Sequence, residues 1–123
     1  MKIVINRCYG GFSLSDAGVE KYAEKAGLTL YKERHASVEW IYWIVPKEQR
    51  YHDRNMALLS QTLWHRTIPR DDAALVETVQ ELREAANGKC AELAVVEIPD
   101  GVDWEICEYD GNEHVAEKHR TWG

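Results

Sequence analysis

The sequence predicts an α+β fold: one compact domain with a mixed or antiparallel sheet, two main helices packed on it and a C-terminal β-hairpin. Three observations carry this expectation. Two segments repeat apolar residues at helical spacing between clear caps, several short segments are apolar or β-branched at strand length, and Asp110-Gly111 joins the last two of these. At 123 residues, 45% of them apolar, the chain can bury a core without metal or disulfide staples. Repeats, linkers and low-complexity stretches are absent, so residues 1–123 read as a single domain.

The first element is a short apolar strand, Lys2-Ile3-Val4-Ile5-Asn6, which runs into Arg7-Cys8-Tyr9-Gly10-Gly11-Phe12-Ser13. Helix one follows, with Ser15 as N-cap, Asp16 in the first turn and Leu14 able to staple onto Val19. Val19, Tyr22, Ala23 and Ala26 form one apolar face, and Gly27 suits the C′ position. Leu28 to Tyr31 fits a strand or a loop. Val38 to Val45 is β-branched and aromatic on both faces and stops at Pro46, which suits a central strand or one at an interface. Residues 47–70 are basic and irregular, with a short helix over about 54–64 or an extended insertion as the two readings.

Helix two is capped by Asp71 or Asp72, turns Leu75, Val76, Val79, Leu82 and Ala86 to the core, and stops at Asn87-Gly88. Ala91 to Ile98 is a nearly all-apolar strand, the pattern of one buried on both faces, and it ends at Pro99-Asp100-Gly101. Trp104 to Tyr109 alternates, Asp110-Gly111 is a two-residue hairpin signal, and Asn112 to His119 returns.

Charge is unevenly spread. The net charge is −6, but residues 71–117 hold fourteen acids against Arg83 and Lys89, while residues 31–70 hold seven bases against four acids. An acidic half disfavours direct nucleic-acid binding and suits a basic protein partner, a nucleic-acid mimic or a plain solvated face. Three cysteines without C-x-x-C spacing argue for a reducing compartment and against a disulfide scaffold or structural zinc. No apolar run is long enough to span a membrane, and no h-region follows Lys2, so a cytoplasmic protein is expected.

The glycine pair Gly10-Gly11 lies between a strand and a helix start, where backbone amides can approach another group closely. It fits a structural turn, a protein-contact surface or an anion pocket. Neither Gly-Lys-Ser/Thr nor G-x-G-x-x-G accompanies it, and no cofactor motif occurs elsewhere. Cys8 could be a nucleophile served by His114 or His119 with Glu113 or Glu117, but a buried, inert thiol is the expected state. The acids from Asp100 to Glu117 read as a hydrated face, and most of the five Trp as core. Trp40, Trp43 and Trp64 adjoin the basic segment.

Lys2 to Phe12 with Leu14-Ser15, Pro69-Arg70-Asp71-Asp72 through Leu75-Val76 with Val95 to Asp100, and Glu108 to Val115 with His119 to Trp122 together resemble a family of small phage and prophage proteins. The match covers well over half the chain and is weakest over residues 31–66, a variable insert. The resemblance implies phage origin and a cytoplasmic setting; it transfers no activity and no catalytic residue.

The leading expectation is a non-enzymatic accessory protein that binds a host protein, with an inhibitor of a host defence system, anti-CRISPR-like, as one concrete form. The alternative is a small nucleotide- or phosphate-binding protein or enzyme. There Gly10 and Gly11 supply amides, Asn6 orients, and His114 or His119 with Arg120 contacts the anion. A self-assembling module with the Trp40–Val45 strand between subunits is a third reading. Candidate ligand or partner residues are Asn6, Cys8, Tyr9, Gly10, Gly11, Phe12, Glu113, His114, His119 and Arg120; no metal ligands are assigned.

Overall fold

Ile3, Val4 and Ile5 are almost completely buried, and the fold is organised around the strand that contains them. A computed structural model describes residues 1–35 and 39–118. In chain order the elements are β1 (Lys2–Asn6), α1 (Asp16–Ala26), β2 (Tyr31–His35), β3 (Glu39–Trp43), α2 (Arg54–Ser60), α3 (Ala73–Leu82), β4 (Leu93–Glu97), β5 (Trp104–Tyr109) and β6 (Asn112–Glu117). The strands pair antiparallel two by two, as β1–β4, β2–β3 and β5–β6. The result is an α+β domain with α1 and α3 packed on each other and α3 against β1 and β4. Val4, Phe12, Leu14, Val19, Tyr22, Ile68, Leu75, Val76 and Val79 form its buried core.

Local chemistry accounts for the element ends. The Ser15 hydroxyl accepts the Gly18 amide at 3.0 Å, and Gly27 closes α1 at φ 74°, where a side chain is strained. Asp72, rather than Asp71, caps α3 by accepting from Leu75 N–H at 3.1 Å. That helix is shorter than its apolar spacing predicts. Arg83 takes φ 52°, and residues 83–86 continue as a 3-10 turn that still buries Ala86.

The 31–66 segment is held by polar ties as well as packing. Strand β3 ends at Trp43 rather than Val45, and Val38 lies outside the described residues. It has β2 on one side and residues 61–63 on the other, through Ile44 N–H to Gln61 O at 2.9 Å and Leu63 N–H to Tyr42 O at 2.8 Å. Residues 61–63 thus flank only the C-terminal end of β3 through the Trp43–Thr62 bridge, and the sheet itself has two strands. Glu33 accepts from the Trp43 indole at 3.1 Å and from Arg50 and Arg54 at 3.2 and 3.3 Å. Helix α2 ends at Ser60; it buries Ala57 but leaves Leu59 82% exposed. Of the described tryptophans only Trp43 is fully buried, whereas Trp64 is mostly exposed, so the tryptophans contribute less to the core than expected.

Asp16 joins this segment to α1. Its carboxylate accepts from Lys32 Nζ at 2.9 Å and from the Tyr42 hydroxyl at 2.7 Å. Burial raises its pKa, but the Lys32 and Tyr42 hydrogen bonds and the Lys32 charge outweigh that and hold it below the ordinary 3.8. A carboxyl depressed in the fold contributes stability above its unfolded pKa and loses it as pH falls through the folded value. Stability is therefore expected to decline below about pH 4, and Asp16→Asn to flatten that acid limb while lowering the plateau at pH 7. Urea midpoints from pH 2 to 7 check this, and parallel acid limbs in the two proteins would contradict it.

Candidate functional site

The site is built at the end of β1, where the strand must satisfy its own outer edge. In the β1–β4 ladder, Met1 pairs with Ile98 and Arg7 with Glu92, so odd-numbered residues of β1 bond to β4. Val4 and Asn6 turn their backbone groups the other way. Val4 N–H donates to Arg70 O at 2.8 Å, and Asn6 N–H donates to Glu113 Oε1 at 2.8 Å. A backbone carbonyl and a carboxylate thus blunt an edge that another strand would otherwise extend.

Glu113 is held by more than that amide. Arg70 Nη1 and Nη2 reach its two oxygens at 2.6 and 3.0 Å, a bidentate pair with the Glu113 side chain only 5% exposed. The Arg70 guanidinium lies 3.7 Å from the centroid of the Phe12 ring. Phe12 is buried and meets the His65 ring at 6.3 Å in a tilted contact, and His65 stacks on Trp64 at 5.1 Å. Burial and the Arg66 and Arg70 charges hold His65 below its ordinary pKa of 6.5.

Asn6 ties three segments together with one side chain. Its Nδ2 donates to Cys8 O and Gly111 O, both at 2.7 Å. Its Oδ1 accepts from Glu92 N–H at 2.8 Å and Cys8 N–H at 3.3 Å. The side chain is fully buried, and this network satisfies it.

The Gly10-Gly11 loop receives the β5–β6 hairpin. Gly10 N–H donates to Asp110 O at 3.2 Å. A Cβ on Gly111 would collide with the Gly10 and Gly11 backbone nitrogens, and a Cβ on Gly10 would come within 2.6 Å of Cys90 O. Asp110 and Gly111 have φ 51° and 87°, the left-handed pair that a tight two-residue hairpin turn requires. Glycine at 111 therefore permits close approach of the hairpin turn to the loop, and glycine at 10 close approach of Cys90.

The structure brings Asn6, Gly10, Gly11 and Phe12 together with Glu113, while Tyr9 stands exposed at the rim. Cys8 is half-exposed rather than buried, with its thiol directed to Tyr9 O at 3.8 Å. His114 is exposed and pairs across the ladder with Cys107. His119 and Arg120 lie outside the described residues. The hydrated acidic face holds for Asp100, Asp103, Glu105, Glu108, Asp110 and Glu117, but Glu113 leaves it for the interior. Arg70 is the residue that sequence reasoning missed. Nothing local marks it as the partner of an acid 43 residues away.

No described helix is long and apolar enough to cross a membrane. No family model, curated protein or solved structure matches this chain.

Proposed function

We propose that this chain is a non-catalytic binding protein that grips another protein at the seam between its glycine loop and its C-terminal hairpin. The observation that supports this reading is the occupation of the loop by the hairpin turn, with Gly10 N–H committed to Asp110 O. A donor engaged within the fold is not free for a phosphate. The same docking leaves Tyr9 and Tyr109, the neighbours of the bonded pair, 64% and 73% exposed. Tyrosines standing clear of the surface beside a rigid joint suit a protein contact, because they bring large area at small entropic cost.

Glu105, Glu108 and Asp110 are exposed on the same hairpin, so the partner surface is basic. In the phage setting that the sequence resemblance implies, the partner is a host protein. A defence complex whose nucleic-acid channel is lined with Lys and Arg is the form of target that an acidic surface fits.

Affinity capture from bacterial lysate, followed by identification of the captured protein, tests this. Tyr9→Ala with Tyr109→Ala, and separately Glu105→Lys with Glu108→Lys, are each expected to reduce recovery of the same protein at least about tenfold, the order of loss when interface anchors are truncated. Unchanged recovery with both variants would overturn the reading. A nucleotide that stabilised the chain by about 2.7 kcal/mol at a hundredfold excess over its Kd would favour the small-ligand alternative instead.

A further inference from the structure

Among the described residues strand β4 has β1 as its one ladder neighbour, and no strand lies along its other edge. The bonds of Ile98 with Met1 and of Glu92 with Arg7 turn residues 94 and 96 towards β1 and residues 93, 95 and 97 away from it. On that outer edge Leu93 N–H is taken by the Asn87 side chain at 2.9 Å. Among the described residues no strand lies beside the outward backbone groups of Val95 and Glu97. This edge forms one wall of a groove of about 780 Å³, whose other wall is Val79, Gln80, Arg83 and Glu84 of α3 and the turn after it. The apolar side chains of β4 are only half-buried, although their sequence is that of a strand covered on both faces.

We infer that this groove binds a basic, extended peptide segment of a partner protein, which adds to β4 as a further antiparallel or parallel strand. The open edge supplies a row of amides and carbonyls that only an extended backbone matches. Val79 and the half-buried β4 side chains take alternate apolar residues of the incoming strand. The charge requirement comes from Glu84 in the wall and exposed Glu92 and Glu97 towards the two ends of the edge, against Arg83 as the base in the lining. A second copy of this chain fits poorly. Antiparallel pairing of two β4 edges would set like charges, Glu92 and Glu97 of each copy, along one short interface. This surface is separate from the tyrosine seam, and its test is independent of that reading.

The probe is an acetylated, amidated heptapeptide of alternating lysine and valine, titrated into the 15N-labelled full chain beside a glutamate–valine counterpart. The lysine peptide is expected to shift the Val95 and Glu97 amide signals and slow their exchange at least about tenfold; the glutamate peptide is expected to do neither. Val95→Pro removes an outward N–H without touching the β1 ladder, a position where an edge strand tolerates proline. It should weaken the lysine peptide about tenfold, the value of one backbone hydrogen bond. Glu92→Lys with Glu97→Lys should exchange the preference between the two peptides, and it decides the matter if Val95→Pro does not fold. Val95 and Glu97 amides unmoved by the lysine peptide would overturn the inference, as would equal binding to both variants. A dimer in sedimentation equilibrium that Val95→Pro dissolves would also overturn it, by making the occupant a second copy.

Discussion

Glu113→Ala is expected to lower stability by about 3 kcal/mol, the cost of removing one partner from a buried ion pair. The substitution strips Arg70 of both its carboxylate bonds while its guanidinium stays against Phe12 and near Val4 O at 3.4 Å. It also leaves Asn6 N–H without its acceptor. The charge left behind dominates the cost. Glu113→Ala combined with Arg70→Ala should therefore cost less than the sum of the single changes, and the shortfall measures the coupling. Glu113→Gln keeps an acceptor for Asn6 and loses the charge, and it should fall between wild type and alanine. For a chain of this size the alanine variant should melt about 10 °C lower. Urea unfolding followed by circular dichroism checks the series, and an alanine variant within about 0.5 kcal/mol of wild type would mean that the pair does not hold the hairpin.

Gly111→Ala is expected to be comparably damaging, for a reason that Gly101→Ala isolates. Both glycines have positive φ, 87° and 80°, so both alanines carry backbone strain of about 1–2 kcal/mol. At Gly101 the new Cβ meets nothing within 4 Å, so strain is the whole cost. At Gly111 it meets the backbone nitrogens of Gly10 and Gly11, which cannot rotate away as a side chain would. The hairpin must then lift from the loop, giving up the Gly10 to Asp110 bond and the Asn6 to Gly111 bond. The second cost adds to the first and brings the total to about 3 kcal/mol, in the range where single substitutions have a named steric cause.

What could be read from the sequence was what short-range chemistry decides. Ser15, Gly27, Asp72 and the Asp110-Gly111 turn act within four residues of themselves, so their roles follow from neighbours in the chain. The ties that build the site act over long separations: Arg70 to Glu113 spans 43 positions and Asn6 to Gly111 spans 105, and no local spacing encodes either. Glu113 did carry one overlooked signal. Alternation along β6 sets it on the same face as half-buried Val115, where a solvated acid is out of place. The apolar run of β4 was misleading in the opposite sense. Its composition reports how apolar the surroundings of its side chains should be, and it is silent on how many strands flank the backbone. The outer edge of β1 is sealed by Arg70 and Glu113; that of β4 has, among the described residues, only the Asn87 side chain on Leu93 N–H and no strand beside it.

Amide hydrogen exchange at Gly10 reports directly on whether the glycine loop is a seat for the hairpin. In wild type the Gly10 amide should exchange slowly, because it is bonded to Asp110 O. In Gly111→Ala it should speed up at least about tenfold, while Ile3 and Ile5 in the β1–β4 ladder stay protected. A Gly10 amide that exchanges at the free rate in wild type, with Ile3 and Ile5 protected, would mean that the loop's donors are open to a ligand and would contradict the docking.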